Sequence, residues 1–232
     1  MSRLGVVAAL AAEARALGSA RPGPASLLTL ADGSLLAVSG MGLAAAAAGA
    51  ASLVIAGCPA LLSFGLAGGL APALQAGALL LPRFVLGAAG QRVPTDEAWR
   101  ARLTAQLAAV GVAEQGDLYT SAEPLASVAD KARLRAATGA AAVDMESAAV
   151  AGVAAQHGLP FVCVRVVVDT AGDELPGAVA AASQGGVLKV GRLLAGLARR
   201  PADIGPLLRL AARYRTAMRV LSGIARSGSL AP

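Results

Sequence analysis

Apolar residues along this chain come in short blocks separated by glycine and proline, and the period within the blocks changes from one to the next. Phe161 to Val168 is a run rich in β-branched residues, which predicts a buried strand. Ahead of it, alanines from Ala148 onward, with acids in the first turn and Gly158 and Pro160 as stop signals, predict a helix. The short connection from Gly158 to Pro160 makes the pair an αβ unit of a mostly parallel sheet. From Gly33 to Pro82 there is no charged residue, which invites a membrane-spanning reading. Gly40, Gly42, Gly57, Pro59, Gly65, Gly68, Gly69 and Pro72 cut that run into pieces too short to span. The pieces predict a strand (Leu35 to Val38), a helix (Leu43 to Ile55) and two strands (Ala60 to Phe64, Ala78 to Leu81). Strands covered by helices on both faces have this near-continuous apolar character, so an α/β core is favoured over a span.

The two ends of the chain complete the outline. Arg3 followed by LGVVAALAA fits the charged and apolar regions of a signal peptide, but Glu13 and Arg15 interrupt it early. Gly5 to Ala9 is read instead as a first buried strand leading into a helix. Thr95 and Asp96 mark a helix start for Glu97 to Val110, although QRVPTDEAW also suits a polar loop near a site. Gly185 to Leu197 reads as a closing helix. From Pro206 to Ile224, Leu207, Leu210, Ala211, Tyr214, Met218 and Leu221 fall on one arc and Arg209, Arg213, Arg215 and Arg219 on the other, which predicts a basic amphipathic helix. An ordinary surface helix docked on the body and an interfacial helix drawn to anionic lipid both fit this pattern.

Composition narrows the class. With 232 residues, 56% of them apolar, the chain can bury a large single core, and with 3% aromatics that core is packed from Ala, Val and Leu. Cys58 and Cys163 lack metal-ligand spacing, and His157, the single histidine, sits at a helix end, so neither a zinc site nor a disulfide framework is supported. The formal charge of +6 is uneven: residues 1–188 carry 11 Lys and Arg against 13 Asp and Glu, residues 189–232 carry 9 against Asp203 alone. A basic tail suits anionic surfaces, but no nucleic-acid motif or aromatic interleaving accompanies it, and nucleic acid is excluded as a partner.

Candidate chemistry lies at element ends. Asp144, Met145 and Glu146 stand at the mouth of the predicted helix, and Asp169 closes the apolar strand after it, where open α/β sheets bind ligands. The plainer reading is that Asp144 and Glu146 complement a helix N-terminus while Asp169 caps a turn. VDMESAAVA, however, resembles the VEMES signature of the purine nucleoside phosphorylase and nucleosidase superfamily, and RVVVDTAG resembles that family's strand ending in Ser-Asp. GVVAALAAEARAL is similar to its opening segment, with the catalytic glutamate falling on Glu13; the two acids that precede it in the family are Ala11 and Ala12 here. SGMGLAAAAAG resembles its SGIGKVAAA segment, and SFGLAGGLAPALQAGALLLP resembles its TGSAGGL segment followed by the turn into the next strand, with Leu66 in place of a serine. DLYTSAEPL resembles its purine-binding loop, with Leu125 in place of an aromatic residue. The whole chain, through the TDEAWRARL segment and the LARRP tail, most resembles the bacterial hopanoid-associated phosphorylases.

The resemblance implies a three-layer α/β/α sandwich with a mixed, mostly parallel sheet over residues 1–198, and a basic amphipathic extension over residues 199–232. It implies cleavage of the N-glycosidic bond of an adenine nucleoside with a lipid 5′ substituent, adenosylhopane-like, with no metal or organic cofactor. The alternative is a hydrolytic nucleosidase for methylthioadenosine and S-adenosylhomocysteine. Asp169 would protonate purine N7, although the family's supporting serine is Val168 here. Glu146, with Met145 beneath the sugar, would hold the ribose, an ionised carboxylate being an acceptor-only partner for a diol. Glu13 would serve the nucleophile, and both water and phosphate remain open for that part. Gly42, at a helix N-terminus, together with Arg15 or Arg83 would serve phosphate. Gly68 and Leu125 would lie against substrate, and Asp144 would pair with Arg165 as structure. Residues 206–224 would give peripheral contact with the inner face of the membrane, and the family's habit implies a homo-oligomer.

Overall fold

A computed structural model describes residues 3–19, 27–111, 113–114, 116–174 and 204–232. The closing helix expected over Gly185 to Leu197 and the LARRP segment lie outside the described residues.

The centre of the fold is a pair of parallel nine-residue strands, β4 (Leu61–Gly69) and β11 (Phe161–Asp169). Beside β4 runs β1 (Gly5–Ala8), and beside β1 runs β3 (Leu35–Val38), both parallel, with β2 (Leu27–Thr29) antiparallel at the edge. At its far end β4 turns from β1 to β10 (Ala142–Asp144), which pairs with it antiparallel through Gly68 and Gly69. From β10 the sheet continues to β9 (Leu118–Thr120), β6 (Phe84–Leu86) and β7 (Arg92–Pro94). On the other side of β11 come β5 (Leu79–Leu80) and β8 (Ala113–Glu114).

Alternation along the strands builds two cores. Val162, Val164 and Val166 of β11 join Leu62 and Phe64 of β4 on one face. On that face sit α1 (Ala11–Ala16), α3 (Glu97–Leu107) and the C-terminal helix α6 (Ile204–Arg226), through Ala14, Trp99, Leu103, Leu107, Ala217, Leu221 and Ile224. Phe161, Cys163 and Val167 face the other way, against α2 (Leu43–Ile55) and α5 (Ser147–Gln156). Helices on both faces of a mixed, mostly parallel sheet are the expected three-layer α/β/α arrangement. The basic helix is thus seated on the sheet through its apolar arc, and the indole N–H of Trp99 donates to the carbonyl of Leu230, 2.8 Å away.

Some elements differ from the sequence expectation. The strand expected over Ala60 to Phe64 runs on to Gly69, so Gly65, Gly68 and Gly69 are strand residues rather than breaks in the run. The polar QRVPTDEAW segment contains strand β7. Helix α4 (Val128–Thr138) was not anticipated; Ser127 caps it by accepting from the Asp130 N–H at 3.0 Å, and Gly139, with φ 70°, ends it in the left-handed region. In β11 the register against β4 slips between Val167 and Asp169, a bulge that gives the last residue of the strand a new direction.

Candidate active site

Four carboxylates and one guanidinium meet where β1, β4, β10 and β11 end. Asp144 closes β10 and uses all its acceptor positions internally. Its Oδ2 accepts from Arg165 Nε at 3.0 Å, Arg165 Nη2 at 2.8 Å and the Ser147 N–H at 3.0 Å, while Oδ1 accepts from the Thr120 hydroxyl at 2.7 Å. Nη2 of Arg165 also donates to the hydroxyls of Ser63 and Ser147, at 2.8 and 2.9 Å. With both partners buried and hydrogen-bonded throughout, this ion pair fixes the junction of β10, β11 and α5.

Glu13 lies at the third position of α1 and reaches back to the start of its own helix. Its Oε2 accepts from the N–H groups of Ala9 and Leu10 at 3.0 and 2.9 Å, and its Oε1 accepts from Leu66 N–H at 2.9 Å. A carboxylate offers about four acceptor positions, so one remains for another donor. Burial pushes the Glu13 carboxyl above its ordinary value, while Arg165 and the three N–H groups pull the other way.

Glu146 stands at the N-cap of α5 but does not cap it with its side chain. It turns toward α2 instead, where Oε1 accepts from the N–H of Gly42 at 2.9 Å, and Oε2 accepts from Met145 N–H at 3.2 Å. Gly42 takes φ 97° at the α2 N-cap, a conformation suited to glycine. The Gly42 N–H, expected to serve phosphate, is thus taken by the chain's own Glu146. Burial, with Asp144 adding to it, pushes Glu146 up to about 7.

Asp169 follows the bulge in β11. Its Oδ2 accepts from Lys131 Nζ, a buried ammonium delivered by α4. Burial raises the Asp169 carboxyl, with Lys131 opposing the rise. No cluster of metal-ligating side chains occurs among the described residues.

Glu13, Glu146, Asp144 and Asp169 line one cavity of about 610 Å³. Leu66, Gly68, Leu125, Met145 and Val168 line it too, and so do Leu207, Leu210, Ala211 and Tyr214 of α6. Of the expected site residues, Gly42 and Arg165 are not on its wall, but each is hydrogen-bonded to a carboxylate that is. Arg15 and Arg83 are exposed and do not line the cavity.

Residues 4–199 match the phosphorylase superfamily. The chain belongs to that superfamily. Its activity class is accordingly nucleoside cleavage. No curated protein matches the chain. Among solved structures it is similar to the 5′-methylthioadenosine/S-adenosylhomocysteine nucleosidase of Neisseria meningitidis, with 20% identity, TM-score 0.72, and coverage of 98% of this chain and 100% of that one. Futalosine hydrolase of Helicobacter pylori gives 17% identity and TM-score 0.72 over 97% and 96% of the two chains. The methylthioadenosine/S-adenosylhomocysteine nucleosidase of Campylobacter jejuni gives 17% and 0.66 over 96% and 100%. At these identities the likeness is one of fold.

Two residues of this superfamily member escaped the sequence reading. Lys131 carried one faint signal: the chain has 2 lysines among its 20 Lys and Arg, so a lysine is an unusual choice. Gly65 had none beyond being glycine. A Cβ there would lie 2.5 Å from Glu13 Oε1 and 2.8 Å from its Cδ, so the bare backbone makes room for the carboxylate.

Proposed function

We propose that the chain hydrolyses the N-glycosidic bond of an adenine nucleoside carrying a large apolar 5′ substituent, releasing adenine. The observation that carries this reading is one cavity with three differently held carboxylates and an apolar wall supplied by α6. Cleavage produces an oxocarbenium-like ribose and needs a protonated leaving group. Asp169, its carboxyl raised by burial, gives its proton to purine N7 as the C1′–N9 electrons pass into the base. Glu146 accepts from the ribose hydroxyls, and Met145 packs beneath the sugar. Glu13, with one acceptor position left, takes a proton from the attacking water as its oxygen bonds to C1′.

Water is favoured over phosphate on electrostatic grounds. The space beside Glu13 is bordered by Asp144 and Glu146, and the arginines considered for phosphate, Arg15 and Arg83, are elsewhere. Among the described residues, the cations on the cavity wall are Lys131, whose ammonium is taken up by Asp169 and two carbonyls, and Arg215 of α6. Against them stand the carboxylates of Glu13, Asp144, Glu146 and Asp169, so a dianion there would meet more negative than positive charge.

The 5′ group is assigned from the α6 wall. Leu207, Leu210 and Ala211 give the cavity an apolar side, and a volume of about 610 Å³ suits a nucleoside while a triterpenoid chain would extend past the mouth. The likeness of the whole chain to hopanoid-associated enzymes makes adenosylhopane the named candidate. Arg209, Arg215, Arg219 and Arg226 are exposed on α6, which suits an anionic membrane surface close to that mouth. No helix among the described residues is long and apolar enough to cross a membrane, so such contact would be peripheral. The second reading is a methylthioadenosine nucleosidase, favoured by the activity named for the Neisseria structure.

Adenine release should be measured from an adenosine with a long alkyl 5′ group and from methylthioadenosine, each with and without phosphate. Phosphate-independent release, faster from the lipid analogue and abolished in Asp169→Asn, is the expected result. Faster release from methylthioadenosine would give the second reading the site, and dependence on phosphate would overturn water as nucleophile.

A further inference from the structure

Lys131 is a buried ammonium for which the steps above have no use. It is 1% exposed, and Nζ has three acceptors: Asp169 Oδ2, the Thr170 carbonyl at 2.8 Å and the Asp173 carbonyl at 2.9 Å. An ammonium has three protons to donate and no lone pair, so a cage of three acceptors fits the charged form. A neutral amine would turn its lone pair toward an oxygen. The cage is itself braced. Asp173 Oδ2 accepts from the Thr170 N–H at 2.8 Å and its hydroxyl at 2.7 Å, and Asp173 pairs with Arg213 of α6.

We infer that Lys131 is the positioning residue for the acid: it stays protonated and stabilises the carboxylate that Asp169 becomes on giving its proton to the leaving purine. The inference rests on Asp169 being the acid. In that step the Asp169 O–H bond breaks, the N7–H bond forms, the C1′–N9 electron pair enters the base, and Lys131 keeps its three protons. The new negative charge appears in poor company. Asp173 lies behind it, and Glu13, Glu146 and Asp144, the last already paired with Arg165, lie along the same cavity. Without a cation held against Asp169, each turnover would create an unpaired buried carboxylate. Lys131 therefore makes Asp169 a stronger acid, and it lowers the pH at which that acid is lost.

The test is the pH profile of kcat for adenine release in Lys131→Met and Lys131→Arg, beside the unmutated enzyme. Removal of a cation within contact distance of a carboxyl raises its titration by about one pH unit or more, so the basic limb of the Met variant should move up by that much. Its kcat at neutral pH should fall on the order of tenfold or more, with KM much less affected. The Arg variant keeps the charge and should return the limb toward its original position. A Met variant slower by the same factor at every pH, with its basic limb unmoved, would overturn the inference. Should the Met variant not fold, the unmutated protein supplies a second readout, because lysine labelling gives signals from Lys131 and Lys189 alone. The Lys131 ammonium signal should shift when adenine binds, and an unmoved signal refutes the coupling. Absence of adenine release from any nucleoside by the unmutated enzyme would instead refute the proposed function.

Discussion

Replacing Glu146 by glutamine should stabilise the fold at alkaline pH while removing activity. Burial raises this carboxyl from 4.5 to about 7. The folded state therefore binds a proton that the unfolded chain has released, and stability falls as pH rises through that window. Each pH unit between the two values corresponds to about 1.4 kcal/mol, so the charged side chain costs the fold about 3 kcal/mol at pH 8. Glutamine carries no charge and can keep the carbonyl acceptor for the Gly42 N–H. Its amide nitrogen, turned toward Met145 N–H, forfeits the 3.2 Å bond there, a loss of about 1 kcal/mol. The desolvation relief wins, leaving the variant more stable by about 2 kcal/mol at pH 8. At about pH 5.5 the native glutamate is protonated in the fold, and the advantage should shrink by about 2 kcal/mol. Urea unfolding of both proteins at the two pH values measures the difference, and adenine release measures the cost in function. A variant no more stable than the native protein at pH 8, or with the same margin at both pH values, would refute the reasoning.

Other substitutions separate space from charge. Gly65→Ala puts a methyl against Glu13 and should leave the fold intact by circular dichroism while adenine release drops on the order of a hundredfold, the usual cost of misplacing a reacting group by about 1 Å. Unchanged turnover would show that Glu13 does not need its observed place. Arg165→Met leaves Asp144 buried without its cation and should cost about 3–5 kcal/mol in urea unfolding, and a loss under 1 kcal/mol would contradict the ion pair's role.

The architecture was legible where pattern and geometry coincide. Helix α2 runs between Leu43 and Ile55, the bounds that its flanking glycines set in the sequence, and β3 has the predicted ends. The end of β4 lies beyond the expected Phe64 because its glycines look like breaks in the apolar run. They are bare so that side chains may lie over them: Glu13 over Gly65, and Asp169 within 3.4 Å of where a Cβ on Gly68 would stand. Helix α4 escaped because the residue it buries is Lys131, which leaves no apolar stripe to count. Ser127 with Asp130 at its start and Gly139 at its end were the available cues. Strands β2, β6 and β7 have three residues each, too few for a period to register. At the site, the order of motifs indicated which carboxylates to watch. Spacing alone held nothing of the bulge that aims Asp169 or of Glu146 turning from its own helix toward Gly42, because both are set by how β11 lies on β4 and α5 on α2.

The contact between Trp99 and Leu230 gives the protein an optical gauge of its own C-terminus. The chain has a single tryptophan, and its ring is buried beneath the last helix and the residues after it. Indole emission is bluer in a dry, hydrogen-bonded niche than in water, so intrinsic fluorescence reports whether the terminal segment is seated or lifted, with no label attached. Docked and peeled forms of the basic helix thereby differ in colour, and the exchange between them can be followed in a suspension of vesicles in real time.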